Sequence, residues 1–126
     1  QRSDWTEAFV HYLQKWYSCL HLDLLNNTHL WKYDLIFANA VFLHFTKTDL
    51  SLVLEWLKNN LTNRWFLACS FKKWVGNEYS DQKMHSPRFF QYWNENDLSV
   101  FFELHWLQVL LLTTTSDEKW IHLVVQ

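Results

Sequence analysis

The chain has one glycine, one proline and two cysteines in 126 residues. Average usage would supply about nine glycines and about six prolines at this length. With Gly76 alone, a glycine-rich phosphate cradle is excluded. Cys19 and Cys69 are too few for a disulfide framework and lack C-x-x-C spacing, so a reducing, cytoplasmic compartment is expected. Charge of one sign is also missing. The net charge of -2 gives no basic footprint for nucleic acid. No apolar run nears the roughly 18 residues of a membrane span, and the segment opening Gln1-Arg2-Ser3-Asp4 has no secretory signal pattern. What is abundant is apolar and aromatic: 49% hydrophobic residues and nine tryptophans, enough for one domain with a real core over 1–126.

Periodicity sets out the elements. Trp5, Ala8, Phe9, Tyr12, Leu13 and Trp16 recur at three- and four-residue steps, as on one helix face. Ser18 to Asp23 alternates polar and apolar like a short strand. Tyr33 to Asn39 is a short apolar run suited to a strand covered on both faces. Thr46-Lys47-Thr48-Asp49 is a helix start signal, followed by Leu50, Val53, Leu54, Leu57 and Leu61 at helical spacing. Asn59 to Arg64 reads as a turn, and Trp65 to Phe71 as a second buried strand. Lys72 to Pro87 reads as a loop beside a site. Asn94 caps a third helix with Leu98, Phe101, Phe102 and His105 inward. Leu107 to Thr114 and Lys119 to Gln126 are strands joined too briefly for a crossover, hence antiparallel.

Helices alternating with buried strands predict an α/β, three-layer sandwich. In such open sheets ligands lie at the carboxyl ends of the strands. No G-x-S-x-G or H-E-x-x-H signature is present, and His21 with Asp23 is too small a set for a metal site.

YDLIFANAVFLHFTKTDLSLVLEWL, residues 33 to 57, resembles the fourth strand and following helix of class I S-adenosylmethionine-dependent methyltransferases. LHLDLLN at 20 to 26 is similar to that family's third strand, WFLACSF at 65 to 71 to its fifth, and RFFQYWNENDLSVFFEL at 88 to 104 to its aromatic stretch and last helix. The resemblance implies a Rossmann-like sheet of order 3-2-1-4-5-7-6 with an antiparallel C-terminal hairpin. It also implies that the first strands and the Gly-rich loop fall before residue 1, so that the domain is expected to be N-terminally incomplete. The implied activity is methyl transfer from S-adenosylmethionine to a small-molecule acceptor. A methyltransferase-like fold that binds no cofactor and serves as an interaction module is the alternative. An exposed sheet edge would offer a homodimer contact.

Residue by residue, the resemblance implies these roles. Asp4 falls at the ribose-binding acid, or is a helix N-cap. Asp23 and Leu24 fall at the adenine, or Asp23 closes a strand-end turn. Ala38 and Asn39 fall along the methionine part of the cofactor. His44 is either a catalytic group facing the acceptor or a packing residue. Lys72, Arg88, Tyr92 and Trp93 could line the substrate mouth, or be solvated and packing residues. Trp16, Trp65 and Trp106 stand where relatives usually carry glycine, and a tryptophan there is expected to avoid positive φ.

Overall fold

The computed structural model describes residues 32–81 and 87–126, together with positions 11, 15, 24 and 25. The expected elements before Lys32, with Asp4, Trp16 and Asp23, lie outside the described residues.

Tyr33–Ala38 forms strand β1, followed by a 3-10 turn at Phe42–His44 and helix α1 at Lys47–Asn59. The helix starts where its signal stands: the Thr46 side chain accepts the Asp49 amide at 3.1 Å. Leu50, Val53, Leu54 and Leu57 form its buried stripe. Strand β2, Leu61–Lys72, begins after a single connecting residue. The turn expected over Asn59 to Arg64 is thus corrected to Asn60 alone. Its side-chain amide donates to the Trp56 carbonyl at 2.8 Å and satisfies the last turn of the helix. The polar character that suggested a turn belongs to a bulge. Tyr33 pairs with Leu61 but Leu35 already pairs with Phe66, so exposed Asn63 and Arg64 lie in the extra length of β2.

The expected loop from Lys72 to Pro87 is also corrected. It contains strand β3, Asn77–Ser80, which pairs antiparallel with β4, Arg88–Gln91. Gly76 turns the chain into β3 with φ 76, a conformation that favours glycine, and its carbonyl accepts the Tyr92 amide at 3.0 Å.

Helix α2, Glu95–Leu104, is capped by Asn94, whose side chain accepts the Asp97 amide at 2.8 Å. Strands β5, Val109–Thr114, and β6, Trp120–Val125, close the chain as the expected antiparallel hairpin.

The sheet order is β1-β2-β6-β5, with β1 and β2 parallel and β6 antiparallel to both its neighbours. This matches the 4-5-7-6 end of the expected sheet. Both helices lie on one face, where Leu50, Leu54, Leu98 and Phe102 meet Leu67, Phe71, Ile121 and Leu123. Phe71 is the hub of this core, with the rings of Phe42, Trp93 and Phe102 centred 6.2, 6.0 and 5.9 Å away. The opposite face carries Leu35 and Phe37 of β1, 60% and 73% exposed, and Leu111 of β5, 51% exposed. The described residues therefore supply two of the three expected layers.

The tryptophans divide. Trp65 lies inside β2 and packs half-buried against the core. Trp106 adopts φ 62, against the expectation that tryptophan would avoid the left-handed region. The reason is the helix ending around it. The Leu107 amide reaches back to the Phe102 carbonyl at 3.2 Å and the Trp106 amide to the Glu103 carbonyl at 3.0 Å, a Schellman closure. Burial of Leu107 beside Phe102 holds that closure in place and forces its left-handed residue, here 88% exposed, to accept the strain. Trp106→Gly is therefore expected to stabilise the fold by about 0.5–1 kcal/mol, after the greater flexibility of unfolded glycine is subtracted. The urea midpoint should rise; a fall would mean that the indole contributes packing that outweighs the strain.

Candidate functional site

Beyond the carboxyl ends of the parallel pair β1 and β2, a cavity of about 510 Å³ opens under the β3–β4 hairpin. His44, Lys72, Arg88 and Tyr92 all line it. Each comes from a different element: the 3-10 turn, the end of β2, the start of β4 and the residue after it. Their meeting point is the Phe90 ring. The His44 ring centre lies 4.8 Å from it, the Lys72 ammonium 5.3 Å, the Arg88 guanidinium carbon 5.4 Å and the Tyr92 ring 6.2 Å.

His44 is fixed by its neighbours. Phe42 and Leu43 are buried, which turns the next residue toward the cavity wall. Its Nδ1 sits 2.9 Å from the Phe89 carbonyl, which only accepts, so Nδ1 carries the proton and donates. Nε2 then holds a lone pair. Burial lowers the imidazole pKa below its ordinary 6.5; the Phe89 bond opposes this and the charge of Arg88 assists it. The ring is thus neutral at pH 7, the form that can accept a proton.

Tyr92 donates its hydroxyl to Glu78 Oε1. Burial, then this carboxylate, pushes the phenol up to about 12, so it stays protonated. The Lys72 ammonium lies over both Phe90 and Tyr92, 5.7 Å from the latter. Among the described residues the buried Arg88 Nε has no hydrogen-bond partner. Trp120, the first residue of β6, and Lys119 just before it also line the cavity.

Ala38 ends β1, buried opposite Cys69. Asn39 Oδ1 accepts the Ser70 hydroxyl at 2.7 Å, and the Ser70 oxygen accepts the Ala40 amide at 2.8 Å. This lock fixes the strand end while Ala40 takes φ 55. Ala40 lines the main cavity and also, with Asn39, Trp120 and His122, a recess of about 280 Å³. That recess has one small residue, one side-chain amide and the Trp120 and His122 rings but no lysine or arginine, and aromatic faces of this kind suit a sulfonium cation. Trp93 is buried in the core beside Phe71 and Phe101 instead of lining the substrate mouth. Leu24 packs half-buried against the core.

Ser70, Glu78 and Lys119 were not singled out from the sequence. Ser70 left a signal, a lone hydroxyl in the apolar run WFLACSF. Glu78 left none, because only its register opposite Phe90 brings it to the site. Cys69 is buried, and its thiol is pushed up by desolvation, which removes it as a nucleophile. No helix among the described residues is long and apolar enough to cross a membrane.

No family model and no curated protein matches the chain. Solved structures do. The chain is similar to a S-adenosylmethionine-dependent methyltransferase from Clostridium acetobutylicum, at 13% identity and a TM-score of 0.71 over 97% of this chain and 70% of that one. The glycopeptide N-methyltransferase MtfA aligns at 6% identity and TM-score 0.73, covering 98% and 70% of the two chains. The CcbJ methyltransferase from Streptomyces caelestis aligns at 8% and 0.63, covering 82% and 61%. The chain thus spans about 60 to 70% of the length of these three structures. At such identities the likeness concerns the fold alone. Sheet order, terminal hairpin and these neighbours together give the described residues the C-terminal part of the class I S-adenosylmethionine-dependent methyltransferase fold.

Proposed function

We propose that this domain serves methyl transfer from S-adenosylmethionine to a small-molecule acceptor, with the acceptor in the cavity under the β3–β4 hairpin. The observation that carries the reading is the convergence of His44, Lys72, Arg88 and Tyr92 on one cavity at the carboxyl ends of β1 and β2, where ligands of open α/β sheets lie.

When bound, the cofactor supplies an electrophilic methyl group on sulfur, so the protein needs chiefly to align the acceptor. On this reading Ala38, Asn39 and Ala40 hold the sulfonium end, with the Ser70 lock keeping their backbone in place. Asp4 is assigned to the ribose, and Asp23 with Leu24 to the adenine. His44 takes up at Nε2 the proton that an acceptor hydroxyl or amine must lose. Tyr92, bonded to Glu78, braces the cavity wall. A free, buried Cys69 accords with a reducing, cytoplasmic setting.

A second reading, an interaction module without cofactor, draws on the open sheet face with Leu35, Phe37 and Leu111. On that reading the face, or the β1 edge beside it, receives a second copy of the chain.

Calorimetric titration with S-adenosylhomocysteine separates the two. Saturable one-to-one binding is expected. A chain that is folded by circular dichroism and takes up no ligand overturns the first reading in favour of the second.

A further inference from the structure

The acceptor cavity is unbalanced in charge. Lys72, Arg88 and Lys119 line it against one carboxylate, Glu78, and Glu78 already accepts the Tyr92 hydroxyl. Among the described residues Lys119 has only a long contact with exposed Asp117, 3.9 Å. Lys72 and Arg88 have no carboxylate partner among the described residues; both instead lie over Phe90. The buried Arg88 Nε is a donor with no acceptor among the described residues, an arrangement that costs free energy unless a ligand completes it. The whole chain carries a net charge of -2, so a local excess of cations is not a property of its surface in general.

We propose that the acceptor is a small organic anion whose carboxylate or phosphate-type group is held by Lys72 and Arg88, with Lys119 adding charge at the rim. Both cations and the His44 ring centre lie within 5.4 Å of the Phe90 ring centre. A molecule a few atoms long can therefore place its anion on them and its nucleophilic group at the imidazole. The Phe90, Tyr92 and Trp120 rings give that molecule apolar walls. The guanidinium fork suits the planar or tetrahedral oxygens of such an anion better than an ammonium alone would.

This inference rests on the proposed methyl transfer for the word acceptor, but its test does not. Calorimetric titrations of the whole chain at low salt would compare benzoate, phenyl phosphate and neutral benzamide. At least one anion is expected to bind about tenfold tighter than benzamide, as a charge-assisted pair requires. The better of the two identifies the anion type. Lys72→Gln and Arg88→Gln, each shown to be folded by circular dichroism, should each lose about tenfold for that anion and leave benzamide unchanged. If Arg88→Gln fails to fold, Lys72→Gln at the strand end still decides. Benzamide binding as well as both anions, or folded variants that bind the anion as tightly as the parent, overturns the proposal. Titration with S-adenosylhomocysteine keeps the two ideas apart. Anion selectivity without nucleoside binding retains the anion site and removes the methyltransferase reading; nucleoside binding without anion selectivity does the reverse.

Discussion

Phe71→Ala should bring the domain close to unfolding. The side chain is fully buried and its ring meets Phe42 from the 3-10 turn, Trp93 from the segment before α2 and Phe102 from α2 itself. Truncation removes a ring that all three meet. The cavity left cannot collapse without moving a strand, so the expected cost is about 3–5 kcal/mol. A domain of this size has about 5–15 kcal/mol in total. Urea unfolding followed by tryptophan fluorescence would measure the loss. Phe37→Ala, at a side chain 73% exposed on the opposite face, is the matched control and should change stability by about 0.5 kcal/mol or less. Equal losses at the two positions would mean that the helices do not pack on the face assigned to them.

The second large effect is functional. On the proposed reaction, His44→Gln should lower kcat/KM for an acceptor that must lose a proton by about 10²–10⁴-fold, the usual contribution of a positioned base. Glutamine keeps a polar group near the Phe89 carbonyl, so stability should change little. S-adenosylhomocysteine release would be followed against pH. In the parent chain the rate should be level above pH 7 and fall as pH drops through the imidazole pKa, which burial places below 6.5. That sign follows because protonation removes the Nε2 lone pair. The variant should lose the acid limb of the profile. A variant with the parent's rate and the parent's limb would make His44 a packing residue, the other role its sequence position allowed.

Much of the fold was legible because its signals are local. Thr46 with Asp49 and Asn94 with Asp97 announce two helices within four residues each, and the apolar stripes behind them are buried as their spacing requires. The terminal hairpin was legible from a connection too short for anything else. The β3–β4 hairpin was not. Asn77, Glu78 and Tyr79 are exposed, so no apolar alternation marks the strand, and its extended form comes from pairing with Phe89 to Gln91 across an intervening stretch. The site followed the same division. His44, Lys72, Arg88 and Tyr92 could be named from the resemblance, but their common contact with Phe90 is a tertiary event that no spacing encodes. Trp106 shows the converse: local preference pointed away from a left-handed backbone, and the burial of Leu107 prevailed.

The place of β6 bears on how the domain assembles. It is the last strand in the sequence, yet it sits inside the sheet with β2 on one side and β5 on the other. Its pairing with β5 closes a short loop and can form early. Its pairing with β2 joins residues roughly fifty positions apart, such as Lys72 and Trp120, and must wait for that larger loop to close. Until then β1 and β2 have no connection to the hairpin, and the long apolar edge of β2 lies open to other chains. During synthesis, β2 and β5 each keep an unpaired edge until Trp120 to Val125 has emerged, and the period of greatest aggregation risk ends only when those six residues are in place.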